Sequence, residues 1–288
     1  MSAVVLGLAV YPINNVWKSV KYLVKSTNKN SPHSSIVLIT AKLGHQDREL
    51  LVNNGVVVFE LADLPPSNIS RATQEGNELF LTWLKSMWVK RHDYYLEVLK
   101  SLNNSHVLLT DTRDVIITGD ISKKIDVTNL VLSQEDNLRS LKSEPHNNKW
   151  LLDGYGSDLL NSIGNKRILC AGTVFGPRAL ILSYVEKMMA EINRLGFELA
   201  NNIGDQPIHN FLAHMGHFPD FEVSTAERGW IKSVGILDKI NNDWFNIKNM
   251  DSNENSTIVL HQYDRHLHSR FVRSSVKKSV GLNFWQKL

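Results

Sequence analysis

The sequence predicts an α/β fold in which helices flank a mostly parallel, Rossmann-like central sheet. Two observations predict it. Short apolar runs rich in β-branched residues alternate with helical patterns through the N-terminal half of the chain, which is typical of a parallel sheet covered on both faces. A later apolar run, "HVLLTDTRD" at residues 106–114, ends abruptly in charged residues, as strands do where open α/β sheets bind ligands.

The N-terminal elements follow from the spacing of apolar residues. Three short apolar runs predict buried strands: residues 4–11, 34–40 and 56–61. The two segments between them read as helices. Residues 15–26 carry apolar side chains at helical spacing, and residues 47–55 end in Gly55, which suits a helix C-cap.

The remaining elements are predicted in the same way. Helices are expected at 77–102 (one long or two short), 177–196 and 205–216. Strands are expected at 128–136, 167–176 and 256–266, the second of them broken by glycines. The polar segment 137–150 reads as a loop.

Composition and charge restrict the class of protein. The chain has 288 residues, 42% of them hydrophobic, and a net charge of +3. This composition suits a globular protein, and the charge is too small to argue for nucleic acid. The single cysteine, Cys170, sits in an apolar context, which favours a buried structural thiol in a reducing compartment. No signal peptide or membrane helix is recognised, so a cytoplasmic protein is expected, soluble or peripherally bound to a membrane.

We predict one domain over residues 1–265 and a basic C-terminal tail over 266–288. The tail combines cationic and aromatic side chains: Arg270, Arg273, Lys277, Lys278, Phe284 and Trp285. Peripheral contact with an anionic membrane through this tail is one hypothesis. A solvated tail is the favoured alternative.

The charged end of the fourth strand suggests a metal site. In a continuing strand, Asp111 and Arg113 would share one side and Asp114 would face the other. A bend at Thr112 or Arg113 would let both aspartates reach one ligand. Two carboxylates at a strand end favour a hard cation such as Mg²⁺ or Mn²⁺ that bridges to a diphosphate. The alternative is a turn capped by Asp111, beside a surface ion pair of Arg113 and Asp114.

The order of these motifs resembles that of glycosyltransferases with the GT-A fold, especially the glycogenin-like and galactosyltransferase-like groups. Four stretches carry the resemblance across residues 3–265: "VLLTDTRD" at 107–114, "LCAGTVFG" at 169–176, "GDQPIHNFL" at 204–212 and "TIVLHQYDRH" at 257–266. The resemblance implies Mn²⁺ or Mg²⁺ held by Asp111, Asp114 and His261. It also implies a nucleoside diphosphate sugar, such as a UDP-sugar, as donor, and a glycan or other hydroxyl compound as acceptor.

The chain departs from the family pattern at one position. The second aspartate of the Asp-x-Asp motif is replaced by Arg113, and Asp114 follows one residue later. Either Asp114 takes over through a bend, or the motif supplies one carboxylate and Arg113 contacts phosphate through its planar donor fork.

The resemblance also implies roles for donor-binding residues. Those predicted to bind the nucleotide sugar are Ala9, Val10, Tyr11, Arg91, Asp111, Arg113, Ala171, Gly172 and Thr173. Tyr11 could stack on the base, and Gly172 could let the sugar approach the main chain. The alternatives are a plain loop after the first strand, a solvated helix face for Arg91, and a glycine required for packing.

Asp205 and Gln206 are the predicted catalytic residues, since the resemblance places this pair against the transferred sugar; an ordinary N-cap is the alternative for Asp205. Retention of configuration is favoured. If transfer inverts the anomeric carbon, a carboxylate must accept the acceptor proton, and Asp205 or Glu135 could do so. A zinc site involving His266 and His268 is disfavoured because paired cysteines and a rigid spacing are missing.

The sequence therefore predicts a metal-dependent glycosyltransferase. A sugar nucleotidyltransferase is the nearest alternative, but the loop after the first strand lacks the glycine-rich basic pattern that such enzymes use. A non-catalytic nucleotide- or sugar-binding relative is the other alternative, and the Arg113 departure keeps it open.

Overall fold

The computed structural model describes residues 2–11, 15–61, 74–218, 220–236, 257–266 and 270–282. Within them lie ten strands: β1 (Ala3–Leu8), β2 (Ser35–Thr40), β3 (Val56–Glu60), β4 (His106–Thr110), β5 (Val115–Ile117), β6 (Leu130–Gln134), β7 (Leu169–Pro177), β8 (Phe221–Ser224), β9 (Ile231–Ser233) and β10 (Val259–His261). The described α-helices are α1 (Val16–Asn30), α2 (His45–Asn53), α3 (Gln74–Ser101), α4 (Pro145–Ile163), α5 (Arg178–Leu195), α6 (Phe197–Ile203), α7 (Asp205–His214) and α8 (Arg270–Ser279).

Seven strands form the central sheet in the order β3-β2-β1-β4-β7-β6-β8. All neighbouring pairs are parallel except those of β7, which runs antiparallel to both β4 and β6. This confirms the predicted α/β fold with a mostly parallel sheet. Strands β5, β10 and β9 form a second, three-stranded sheet.

Helices cover both faces of the central sheet. On one face, α3, α5, α6 and α7 bury a large apolar cluster that includes Leu6, Val107, Val174 and Tyr184. On the other face, the α1 residue Leu23 packs with residues of β4, β5 and β10. The two-sided coverage explains why the central strands read as continuous apolar runs in the sequence.

Two predictions about secondary structure are wrong. The predicted loop 137–150 ends earlier, because α4 begins at Pro145. Proline suits the first helical turn, and the side chain of Glu144 accepts a hydrogen bond from the main-chain N–H of Asn147 at 2.7 Å. The predicted strand 256–266 is shorter, since β10 ends at His261 and Tyr263–His266 form a 3-10 helix. The predicted strand 167–176 is present as β7, and its pairing with β6 is irregular around Gly172, because Leu132 pairs with Val174 but Ser133 with Cys170.

The described part of the predicted tail forms α8. Its Val272 and Val276 are buried against Ile116 and Leu260 of the second sheet, while Lys278 is exposed. The aromatic residues Phe284 and Trp285 lie outside the described residues. None of the described helices has the length and apolar character needed to cross a bilayer.

Candidate functional site

The chain changes sheets immediately after β4. Thr110 ends β4 and Val115 begins β5, so residues 111–114 form the bend. The hydroxyl of Thr112 donates to the carbonyl of Leu8 at 3.0 Å and lies 2.9 Å from the hydroxyl of Tyr11. The main-chain N–H of Gln262 donates to the carbonyl of Asp114 at 2.7 Å. These bonds fix the bend between β1 and β10, and the predicted bend is confirmed.

The bend brings three metal-ligating side chains together. Nε2 of His261 lies 3.2 Å from Oδ2 of Asp111 and 3.7 Å from Oδ1 of Asp114. One ligand atom from each of the three residues lies within 4.8 Å of the others. We call Asp111, Asp114 and His261 the metal triad. Two carboxylates and one imidazole form a donor set that could hold a divalent cation.

Gly172 leaves the space in which the metal triad assembles. A Cβ at this position would lie 2.4 Å from Cε1 of His261 and 2.6 Å from Oδ2 of Asp111. Neither distance is compatible with a side chain, so only glycine lets β7 pass this close to the two ligands. The triad therefore has a main-chain cradle in addition to its three donor groups.

The two carboxylates of the metal triad have opposite pKa shifts. Burial opposes ionisation of Asp111, but its hydrogen bond with His261 and the charge of Arg91 lower its pKa well below the usual range. Burial raises the pKa of Asp114, and the negative charge of Asp111 adds to this effect. Two adjacent carboxylates repel each other, and a bound cation would relieve that repulsion.

His261 is buried and contacted at both ring nitrogens. Burial lowers its pKa, but contacts with Cys170, Asp114 and Asp111 together raise the pKa well above its ordinary value. Its Nδ1 lies 3.1 Å from the hydroxyl of Ser233 and 3.4 Å from the thiol of Cys170. The ring is therefore fixed with Nε2 toward the two aspartates.

A row of buried hydroxyl groups continues from His261 into the core. The hydroxyl of Ser233 lies 3.2 Å from that of Ser133, which lies 2.7 Å from that of Thr173. All three side chains are fully buried. We call Ser233, Ser133 and Thr173 the hydroxyl chain. It joins β9, β6 and β7 behind the metal triad, and sequence reasoning identified only Thr173.

Arg91 links α3 to two other parts of the site. Its Nη1 lies 2.7 Å from Oδ1 of Asp111, its Nη2 donates to the carbonyl of Ala171 at 3.2 Å, and the same Nη2 forms an ion pair with Asp205. Burial opposes ionisation of Asp205, but the charge of Arg91 lowers its pKa below the ordinary value. Arg91 is buried, and its charge is balanced by two aspartates.

Both polar atoms of the Gln206 side chain contact the main chain. Its Nε2 donates to the carbonyl of Leu169 at 2.9 Å, and its Oε1 accepts from the N–H of Ala171 at 2.9 Å. Gln206 therefore fixes the first residues of β7, beside Gly172. Its predicted catalytic role and that of Asp205 stay predictions.

These residues line a cleft of about 470 Å³ at the carboxyl end of β4, a volume typical of small-molecule sites. The predicted donor-binding residues that face it are Val10, Tyr11, Arg91, Arg113, Ala171 and Gly172. The metal triad, Asp205, Gln206 and Glu135 line it as well. Ala9 and Thr173 are fully buried beneath its surface.

Arg113 does not occupy the place of a metal ligand. Its side chain is 65% exposed at the mouth of the cleft, and Nη2 lies 3.3 Å from Oδ2 of Asp264. Asp114, one residue later, contributes the second carboxylate to the triad. The bend thus brings Asp114, and not Arg113, beside Asp111 and His261.

The thiol of Cys170 contacts His261, which in turn contacts Asp111. A nucleophilic cysteine, its base and an orienting carboxylate are arranged in the same sequence of contacts. The thiol is only 2% exposed. Burial raises its pKa, which keeps it protonated. A nucleophilic thiol requires the reverse, a lowered pKa with access to substrate. The structure agrees with the predicted buried role of Cys170.

His266 makes a structural contact instead of joining the site. Its Nε2 donates to the carbonyl of Val234 at 2.7 Å, and the ring is buried. His268 lies outside the described residues. Among the described residues, the group with metal-ligand geometry is the metal triad.

No protein-family model matches the chain, and no curated protein does.

Proposed function

We propose that this protein is a metal-dependent glycosyltransferase of the GT-A type, which transfers a sugar from a nucleoside diphosphate sugar, in the first instance a UDP-sugar, to a hydroxyl acceptor. One observation carries the proposal. Asp111, Asp114 and His261, which come from two distant segments, converge at the base of a cleft at the carboxyl end of the sheet. This is where open α/β sheets bind nucleotides.

The residues of the cleft suit such a donor. Tyr11 faces the cleft beside the end of β1, in a position to contact the base. Arg113 and Arg265 carry positive charge at the side of the metal triad, which suits the diphosphate. When bound at the triad, Mn²⁺ or Mg²⁺ supplies electrostatic stabilisation of the leaving diphosphate.

In the proposed reaction, the acceptor oxygen forms a bond to the anomeric carbon while the bond from that carbon to the diphosphate oxygen breaks. The acceptor proton leaves with the nucleoside diphosphate if configuration is retained. Asp205 is paired with Arg91 and held ionised, which suits a residue that stabilises positive charge on the sugar. Glu135, whose pKa is raised by burial, is the carboxyl group available as base if configuration inverts.

The proposal is tested by incubating the protein with a panel of nucleotide sugars and measuring release of free nucleotide, with Mn²⁺ and with a chelator. Release that requires the metal is expected in the wild type. Asp114→Asn is expected to lower it by about 100-fold or more, because the variant lacks one charged ligand. Asp158→Asn, which changes an exposed aspartate outside the cleft, is the matched control.

Two results would contradict the proposal. One is no turnover of any donor together with no thermal shift from UDP or GDP. The other is full turnover in the presence of chelator. That result would support sugar transfer but contradict its dependence on a metal.

A further inference from the structure

The cleft has two walls of different chemistry. On the helical side, the described cleft-lining residues above the Arg91–Asp205 pair are uncharged: Met87, Trp88, Trp150, Asn202, Ile203 and Gly204. The opposite side is formed by the bend after β4 and by residues after β10. It carries Arg113, Asp114 and Arg265. Among the described lining residues, the exposed cations Arg113 and Arg265 thus favour an anionic group on the side of the bend.

Trp88 is the most exposed aromatic contact on the helical side. It is 51% exposed, although Met87 and Val89 beside it on α3 are buried. Gly204 lies against one edge of the ring, where a Cβ would be 3.8 Å from Cε3 of Trp88. Gly204 has φ +76° and ψ −179°, a conformation essentially restricted to glycine. The junction of α6 and α7 thus packs beside the indole and leaves its remaining surface open to the cleft.

Trp150 and Asn202 complete this wall. Trp150 is half-buried on α4, with its ring centroid 5.7 Å from that of His146. Asn202 is exposed on α6 and faces the cleft. Aromatic faces pack well against the C–H faces of a pyranose ring, and a carboxamide both donates to and accepts from sugar hydroxyls.

We propose that Trp88, Trp150 and Asn202, here called the aromatic wall, bind a neutral pyranose ring, so that the acceptor is a carbohydrate. The inference rests on the proposed function and names its acceptor class. The charge distribution supports it. The diphosphate is directed to the side that carries Arg113 and Arg265, and an uncharged ring to the side whose described lining residues above the Arg91–Asp205 pair carry no charge. A neutral sugar is favoured over a phosphorylated or sulfated one, because none of the three side chains of the aromatic wall is cationic.

The test measures binding of oligosaccharides without nucleotide sugar. The probes are maltopentaose, cellopentaose, laminaripentaose, chitopentaose and mannopentaose, with a sulfated heparin pentasaccharide as the charged comparison. Binding is followed by saturation-transfer NMR and by tryptophan fluorescence. At least one neutral probe is expected to bind. Trp88→Ala is expected to weaken that binding about ten-fold, and Trp88→Phe by about three-fold or less, because a smaller aromatic face remains.

Phe197→Ala is the matched control, since Phe197 is 45% exposed and does not line the cleft. It is expected to bind the probes as the wild type does. The inference is overturned if no neutral probe binds, if Trp88→Ala binds normally, or if the sulfated probe binds best. Nucleotide-sugar turnover without oligosaccharide binding would overturn this inference but leave the proposed function intact. Oligosaccharide binding that depends on Trp88, without turnover, would overturn the proposed function alone.

Discussion

Ser233 determines which nitrogen of His261 faces the two aspartates. If Nδ1 carries the hydrogen and donates to the hydroxyl of Ser233, Nε2 presents its lone pair to a cation. The hydroxyl of Ser233 can then donate to Ser133, and that of Ser133 to Thr173. In this arrangement each hydroxyl of the chain donates away from the ring, so the hydroxyl chain orders the ring from behind.

We predict that Ser233→Ala weakens Mn²⁺ binding by about ten-fold or more, because the ring loses its orienting partner. Titration calorimetry or Mn²⁺ electron paramagnetic resonance measures this affinity. Ser224→Ala is the control, because Ser224 is also buried but bonds to the main chain of Ile231, away from His261. Equal Mn²⁺ affinities in the two variants would show that the hydroxyl chain does not act on the metal site.

At the scale of residues, the three members of the metal triad were predicted from the sequence, but Ser233 and Ser133 of the hydroxyl chain were not. Asp111 follows an apolar strand, and this local pattern indicated it as a site residue, whereas His261 was indicated by the family resemblance. Ser233 and Ser133 are ordinary small residues in short strands. Their contact depends on how the second sheet lies against β6, which no local pattern specifies.

At the scale of elements, the ion pairs of Arg91 hold α3 to the end of β4 and to the start of α7. Removal of one partner from a buried ion pair leaves an uncompensated charge. We predict that Arg91→Met lowers the free energy of unfolding by about 3–5 kcal/mol, measured by urea denaturation. Arg48→Met is the control. Arg48 pairs with Glu60 in a half-exposed position, so its loss is expected to cost about 1 kcal/mol or less.

The cost of Arg91→Met should depend on pH. Asp111 and Asp205 have lowered pKa values in the folded protein, so their stabilisation is fully present above the unfolded-state pKa of about 4. It is lost as pH falls through the lowered folded-state values. The difference in stability between wild type and Arg91→Met should therefore narrow in acid, and a difference that widened there would contradict the ion-pair explanation.

The elements that carry the aromatic wall were predicted less well than the strands. The pattern of α3 indicated a helix, and one continuous helix is present. The whole of α4 was missed, because its first residues lie in the polar segment 137–150 and no helix was predicted for residues 151–163. The decisive signals were Pro145 and the capping side chain of Glu144, which act through main-chain hydrogen bonding. The short helix α6 was not predicted either.

At the scale of the whole molecule, the metal triad joins two sheets. Asp111 and Asp114 lie between β4 and β5, and His261 ends β10 of the second sheet. Because a metal ligated by all three residues would bind the folded chain and not the unfolded one, we predict that Mn²⁺ at 100 times its Kd stabilises the protein by about 2.7 kcal/mol. Thermal denaturation with and without Mn²⁺ measures the effect.

Asp114→Asn is expected to abolish most of this stabilisation, whereas Asp158→Asn should retain it. The same Mn²⁺-dependent rise in melting temperature in the Asp114→Asn protein would place the metal elsewhere in the molecule.

The sequence distance within the triad also bears on how the chain folds. Asp111 and His261 are 150 residues apart, and contacts across such a long loop close late because chain entropy opposes them. We therefore expect the three residues of the triad to converge once β10 has paired with β5. An ion held by all three would then act on the finished topology and not as a folding nucleus.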